Sequence, residues 1–70
     1  MGYKQARLRA GLTQAAAAQE LGVVKQAIGN WETGLAQPRA ALLPRVAALY
    51  GCTLEELLTP DEENEKEDSE

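Results

Sequence analysis

The sequence predicts an all-α fold of five short helices, and three observations carry that prediction. Glycines punctuate the chain at Gly11, Gly22, Gly34 and Gly51, each just past a segment of helical composition. Glycine in that place is the commonest left-handed helix end. Apolar residues recur at helical spacing, as in Tyr3, Ala6 and Ala10, and no segment alternates as a strand does. The four alanines at 15–18 have the highest intrinsic helix propensity of any residue type.

The elements follow in order. A first helix covers residues 2–10. Thr13 offers a side-chain oxygen to the free N–H groups of a second, Gln14–Leu21. Val23 and Val24 lead into a third, Lys25–Thr33. Residues 35–39 form a loop ending around Pro38. A fourth helix starts somewhere within 40–44 and runs to Tyr50, with Pro44 in its first turn, where a missing N–H costs nothing. Thr53 caps a fifth, Leu54–Leu58, whose Glu55 and Glu56 suit the positive end of the helix dipole, and Pro60 ends it.

Composition removes several function classes. Seventy residues make one small domain with a limited core. A single cysteine, Cys52, and no histidine exclude an internal disulfide framework and leave too few ligands for a zinc site. Cys52 is expected to be a buried small hydrophobe. No apolar run approaches the ~20 residues that cross a bilayer, and no signal-peptide core is present, so a reduced, cytoplasmic protein without a membrane partner is expected. Nucleophile–base pairs and phosphate-cradling glycine loops are also missing, which argues against an enzyme and calls for no cofactor or metal.

The formal net charge of −4 argues against nucleic acid until it is divided. Residues 61–70 carry −6, whereas residues 1–60 carry +2. The chain thus reads as a weakly basic domain at 1–60 with an acidic tail at 61–70. Such tails lack the apolar content to offset ordering entropy and are expected to be disordered. A solvated tail is the simplest reading. A linker, a contact for a protein partner, and an anion mimic competing for a basic face remain open.

The second helix, a tight glycine turn and the third helix together have the size of a helix-turn-helix. Ala18 lies where only a small side chain lets the third helix cross closely. Ile28 and Trp31, at i and i+3, are expected to face the core together with Tyr50. The opposite side of the third helix then carries Lys25, Gln26, Gly29, Asn30 and Thr33. Gln and Asn pair bidentately with adenine, and Lys donates to guanine, so these residue types suit base edges.

The stretch LRAGLTQAAAAQELGVVKQAIGNWETGLAQP resembles the helix-turn-helix family of phage repressors and Cro proteins, the XRE type. The resemblance lies in Leu12-Thr13-Gln14, Ala18, Gly22-Val23, Ile28, Trp31-Glu32, and Gly34 with Pro38. The later LLPRVAALYGCTLEELL resembles the family's closing helices, and the whole covers about residues 3–58.

That resemblance implies a compact five-helix, lambda-repressor-like DNA-binding domain. Lys25, Gln26, Gly29 and Asn30 would meet base edges in the major groove. Gln14 would bond a phosphate while touching the start of the recognition helix, and Thr33, Gln37 and Arg39 would meet the DNA backbone. Arg7 and Glu32 match a pair that forms a structural salt bridge in relatives.

The chain departs from the family pattern at four places. Val24 stands where relatives carry Ser or Thr, so the third helix loses a cap worth ~1 kcal/mol. A packing role is expected for Val24 ahead of contact with a thymine methyl. Gly29 weakens its helix by ~1 kcal/mol relative to Ala, for close approach to DNA or for no functional gain. Ala16 and Ala17 replace a Glu and a Leu, leaving half a capping box and a smaller local core.

The reading that follows is a sequence-specific DNA-binding transcriptional regulator, a repressor on a pseudo-palindromic operator. Its partners are double-stranded DNA and a second copy of the chain, because two recognition helices must enter successive major grooves ~34–36 Å apart. Leu54, Leu57 and Leu58 are candidate contacts for that homodimer, or closers of the monomer's core. A protein-interaction module such as an antitoxin or antirepressor is the alternative.

Overall fold

The computed structural model describes residues 1–59. The expectations attached to Pro60 and to the acidic tail at 61–70 therefore lie outside the described residues. Within the described residues the protein is all-helical, with five α-helices and one 3-10 turn. They are α1 (Tyr3–Arg9), α2 (Gln14–Leu21), α3 (Lys25–Thr33), α4 (Leu43–Tyr50) and α5 (Leu54–Leu58). The 3-10 turn Ala40–Leu42 runs directly into α4, which explains the ambiguous start of that helix in the sequence. Pro44 sits in the first turn of α4. The first helix is a residue shorter at each end than expected, because Gly2 takes a positive φ and Ala10 serves as the C-cap.

Local chemistry sets the helix ends. Thr13 Oγ1 accepts from the Ala16 N–H at 3.0 Å and opens α2. Because position 16 is Ala, no side chain returns the bond, and the capping box of α2 is half present. At α5 the box is complete: Thr53 Oγ1 accepts from Glu56 N–H, and Glu56 Oε1 accepts from Thr53 N–H. Gly22 ends α2 at φ +73°, a left-handed conformation that strains any residue with a Cβ. That residue reverses the chain within the short turn and lets α3 pack back on α2.

Alanines set how closely the helices approach. Ala17 and Ala18 of α2 are buried beneath α3, Ala6 is buried on α1, and Ala47 on α4. Larger side chains fill the centre: Ile28, Val46 and Leu57 are fully buried. Each contributes roughly 1.5–3 kcal/mol by leaving water. Trp31 and Tyr50 complete this core, and Trp31 meets Tyr3 with ring centroids 6.2 Å apart and planes tilted by 49°. Arg45 of α4 donates to the Glu20 carbonyl near the end of α2, where a cation favours the helix dipole.

One burial expectation changes, and one left open divides. Cys52 is half-buried, packed against the edge of the core, and this partial burial pushes its thiol above the usual range. Among the three leucines of α5, Leu57 closes the core while Leu54 and Leu58 remain exposed. Helical spacing puts all three on one face of α5, and Leu57 stands at its centre, over the core, with Leu54 and Leu58 at its margins.

Candidate nucleic-acid interface

The polar surface of α3 is positioned by what its other side buries. Ile28 and Trp31 lock the helix onto the core, with Ala27 packed beside them and the Glu32 side chain buried, so its other positions lie toward the outer side. Lys25, Gln26 and Thr33 are exposed, whereas Gly29 and Asn30 are half-buried. Positions three and four apart are neighbours on a helix, so 26, 29, 30 and 33 form one continuous strip. Asn30 also has a backbone task, because its carbonyl accepts from the Leu35 N–H at 2.9 Å where Gly34 closes the helix. Thr33 Oγ1 donates to the same carbonyl at 3.3 Å.

Gln37 and Arg39 are exposed in the loop that follows α3, on either side of buried Pro38. They rim an open cleft of about 260 Å³ whose floor includes Leu21, Trp31 and Leu42. Pro38 anchors this loop beside α3. Gln37 and Arg39 thereby share this cleft with Trp31 of α3 and with the turn at Gly22 and Val23.

Arg7 and Glu32 join α1 to the end of α3. Arg7 Nε donates to Glu32 Oε2 at 2.6 Å and Nη2 to Oε1 at 3.3 Å, and the two side chains are 8% and 5% exposed. Arg7 Nη1 also donates to the Leu12 carbonyl at 2.9 Å. The hydrogen bond to Glu32 pushes the guanidinium further above its ordinary value, against the opposing effect of burial. Arg7 is occupied internally and is not offered to a phosphate.

Gln14 departs from the position that resemblance assigned to it. Its Nε2 donates to Glu32 Oε1 at 3.1 Å, so the side chain touches the last turn of α3 and not its start. The amide passes beside Gly29, where an added Cβ would stand at an ordinary van der Waals distance of 3.8 Å from Gln14 Nε2. A long side chain at 29 would occupy the route that the Gln14 amide takes across α3. Nothing in the sequence identified Glu32 as the acceptor, because donor and acceptor lie on different helices eighteen residues apart.

Val24 is the second correction. It is 70% exposed, so it does not pack into the core, and its side chain caps nothing. It stands at the start of α3 beside exposed Lys25 and Gln26. Its backbone is extended, with φ −78° and ψ 155°. That conformation takes the side chain off the core-facing row on which helical spacing from Ile28 would have placed it.

Among the described residues no group of three or more His, Cys, Asp or Glu could hold a metal ion, and no helix is long and apolar enough to cross a membrane. A search of curated proteins finds no significant match. A model of the helix-turn-helix family matches residues 4–57, which takes in all five helices except the first residue of α1 and the last of α5. With its glycine turn, its packed α2 and α3 and this match over most of its length, the chain belongs to the Cro/C1-type helix-turn-helix family of DNA-binding regulators.

Proposed function

We propose that the protein is a sequence-specific repressor that binds a pseudo-palindromic operator as a homodimer in the cytoplasm, with α3 in the major groove. The observation that carries this reading is the division of α3 into a buried face, Ile28 and Trp31, and an outward strip of hydrogen-bonding side chains. Lys25, Gln26 and Asn30 supply donors and acceptors for base edges, and Gly29 lets the backbone approach. Gln37, Arg39 and Thr33 hold the DNA backbone, which fixes register without carrying sequence information. Gln14 keeps a second amide hydrogen for a phosphate after bonding Glu32. Exposed Leu54 and Leu58 supply the apolar contact between copies.

Selection from random DNA with the purified protein tests the reading, followed by gel shifts with Lys25→Ala, Gln26→Ala and Asn30→Ala. Each variant is expected to lose roughly 1–3 kcal/mol on the selected site. Arg39→Ala is expected to weaken binding equally on all sequences and to flatten the salt dependence by about one phosphate contact. Parental affinity in all three α3 variants would remove the base-reading assignment.

A further inference from the structure

We propose that Val24 is a specificity-determining residue that contacts the C5-methyl group of a thymine at the N-terminal end of α3. The inference deepens the proposed function and rests on α3 entering the major groove. Val24 is the most exposed residue on the helix-turn-helix that is both large and apolar, at 70%. Its side chain makes no cap bond, and its extended backbone turns it away from the row of Ile28 and Trp31. Neither the core nor the helix end therefore gains from it.

Its neighbours say where it would be used. Lys25 and Gln26, immediately next in the chain, are exposed and polar. The N-terminal residues of a recognition helix are the ones that reach base edges. The thymine methyl is the apolar group that base pairs display in the major groove, and apolar side chains recognise it by contact. A branched apolar side chain, exposed in free protein among base-reading types, has a matching surface there. Burial of both groups would remove water from Val24 and from the methyl together.

The experiment uses the whole 70-residue chain and the site it selects from random DNA. Each thymine of that site is replaced singly by deoxyuridine, which lacks only the methyl group, and affinities are measured for the parent and for Val24→Ala. Alanine and valine are equally poor N-caps, so the variant changes the side-chain contact without changing the cap. At one thymine of each half-site, deoxyuridine is expected to lower the parent's affinity about fourfold, the worth of one buried methyl-sized group. Val24→Ala is expected to bind the two DNAs equally at that position.

An equal deoxyuridine penalty in parent and variant, or no penalty in the parent at any thymine, overturns the assignment of Val24 while leaving the base-reading role of α3 intact. Failure of selection to enrich any sequence overturns that role, and this assignment falls with it.

Discussion

Gln14 and Glu32, eighteen residues apart, are joined by a hydrogen bond from Nε2 to Oε1 at 3.1 Å that crosses α3 above Gly29. The same carboxylate receives Arg7, so three helices converge on one buried anion. The two neutral substitutions should differ in cost. Glu32→Ala strips a buried guanidinium of its counter-charge and is expected to cost about 3 kcal/mol or more. Gln14→Ala leaves the ion pair intact and is expected to cost about 1.5 kcal/mol. Urea denaturation of both variants checks the order, and equal losses would show that the ion pair is not the stronger contributor.

Gly29 lies within α3 at a helical conformation, with space for a methyl group: the nearest atom to an added Cβ is Gln14 Nε2 at an ordinary van der Waals distance of 3.8 Å. Gly29→Ala is therefore expected to stabilise the fold by about 0.5–1 kcal/mol through reduced entropy of the unfolded chain. A thermal melt that falls below the parent's would show that the Gln14 amide cannot give way.

Val24 leaves α3 without a side-chain cap. Val24→Thr restores an oxygen that can accept from the Ala27 N–H, as Thr13 accepts from Ala16 in the preceding helix. A gain of about 1 kcal/mol is expected in chemical denaturation. No change in midpoint would mean that the threonine hydroxyl does not reach the first turn.

Tyr50 is buried, and its hydroxyl has no hydrogen-bond partner among the described residues. Burial, with a smaller contribution from Glu32, pushes this phenol up to about 12 from an ordinary 10. The unfolded chain then loses its phenolic proton before the folded one does. The associated stability is fully present below pH 10 and is lost as pH rises through 10 to about 12. Tyr50→Phe is expected to remove that part of the alkaline loss. At neutral pH it should be as stable as the parent or more so, because an unpaired buried hydroxyl is replaced by an apolar edge. Melts at neutral and alkaline pH compare the two.

Much of the fold was legible because its signals are local. Both limits of α2, the end of α3 and the start of α5 follow from Thr13, Gly22, Gly34 and Thr53, residues that act on backbone groups within four positions of themselves. The start of α4 was not legible, since Ala40 and Leu42 have no cap signal and enter the helix through a 3-10 turn that packs Leu42 into the core. Within the site, the strip at 26, 29, 30 and 33 follows from helical period alone. The place of Gln14 does not, because its partner belongs to another helix.

The sequence by itself determined the helices, the turn between the second and third of them, and which face of α3 is polar. These depend on propensity, capping and period, all of which are interactions between near neighbours in the chain. The tertiary structure decided which side chains lost their water. Val24 was read as a packing residue and stands exposed; Cys52 was read as buried and is half so; Gln14 turned from the start of α3 to Glu32 near its end. Burial is set by atoms that come from distant positions, and a single backbone angle can turn a side chain from core to solvent. For that reason contact with a thymine methyl, the second reading of Val24 in the sequence, became the first once the fold was built.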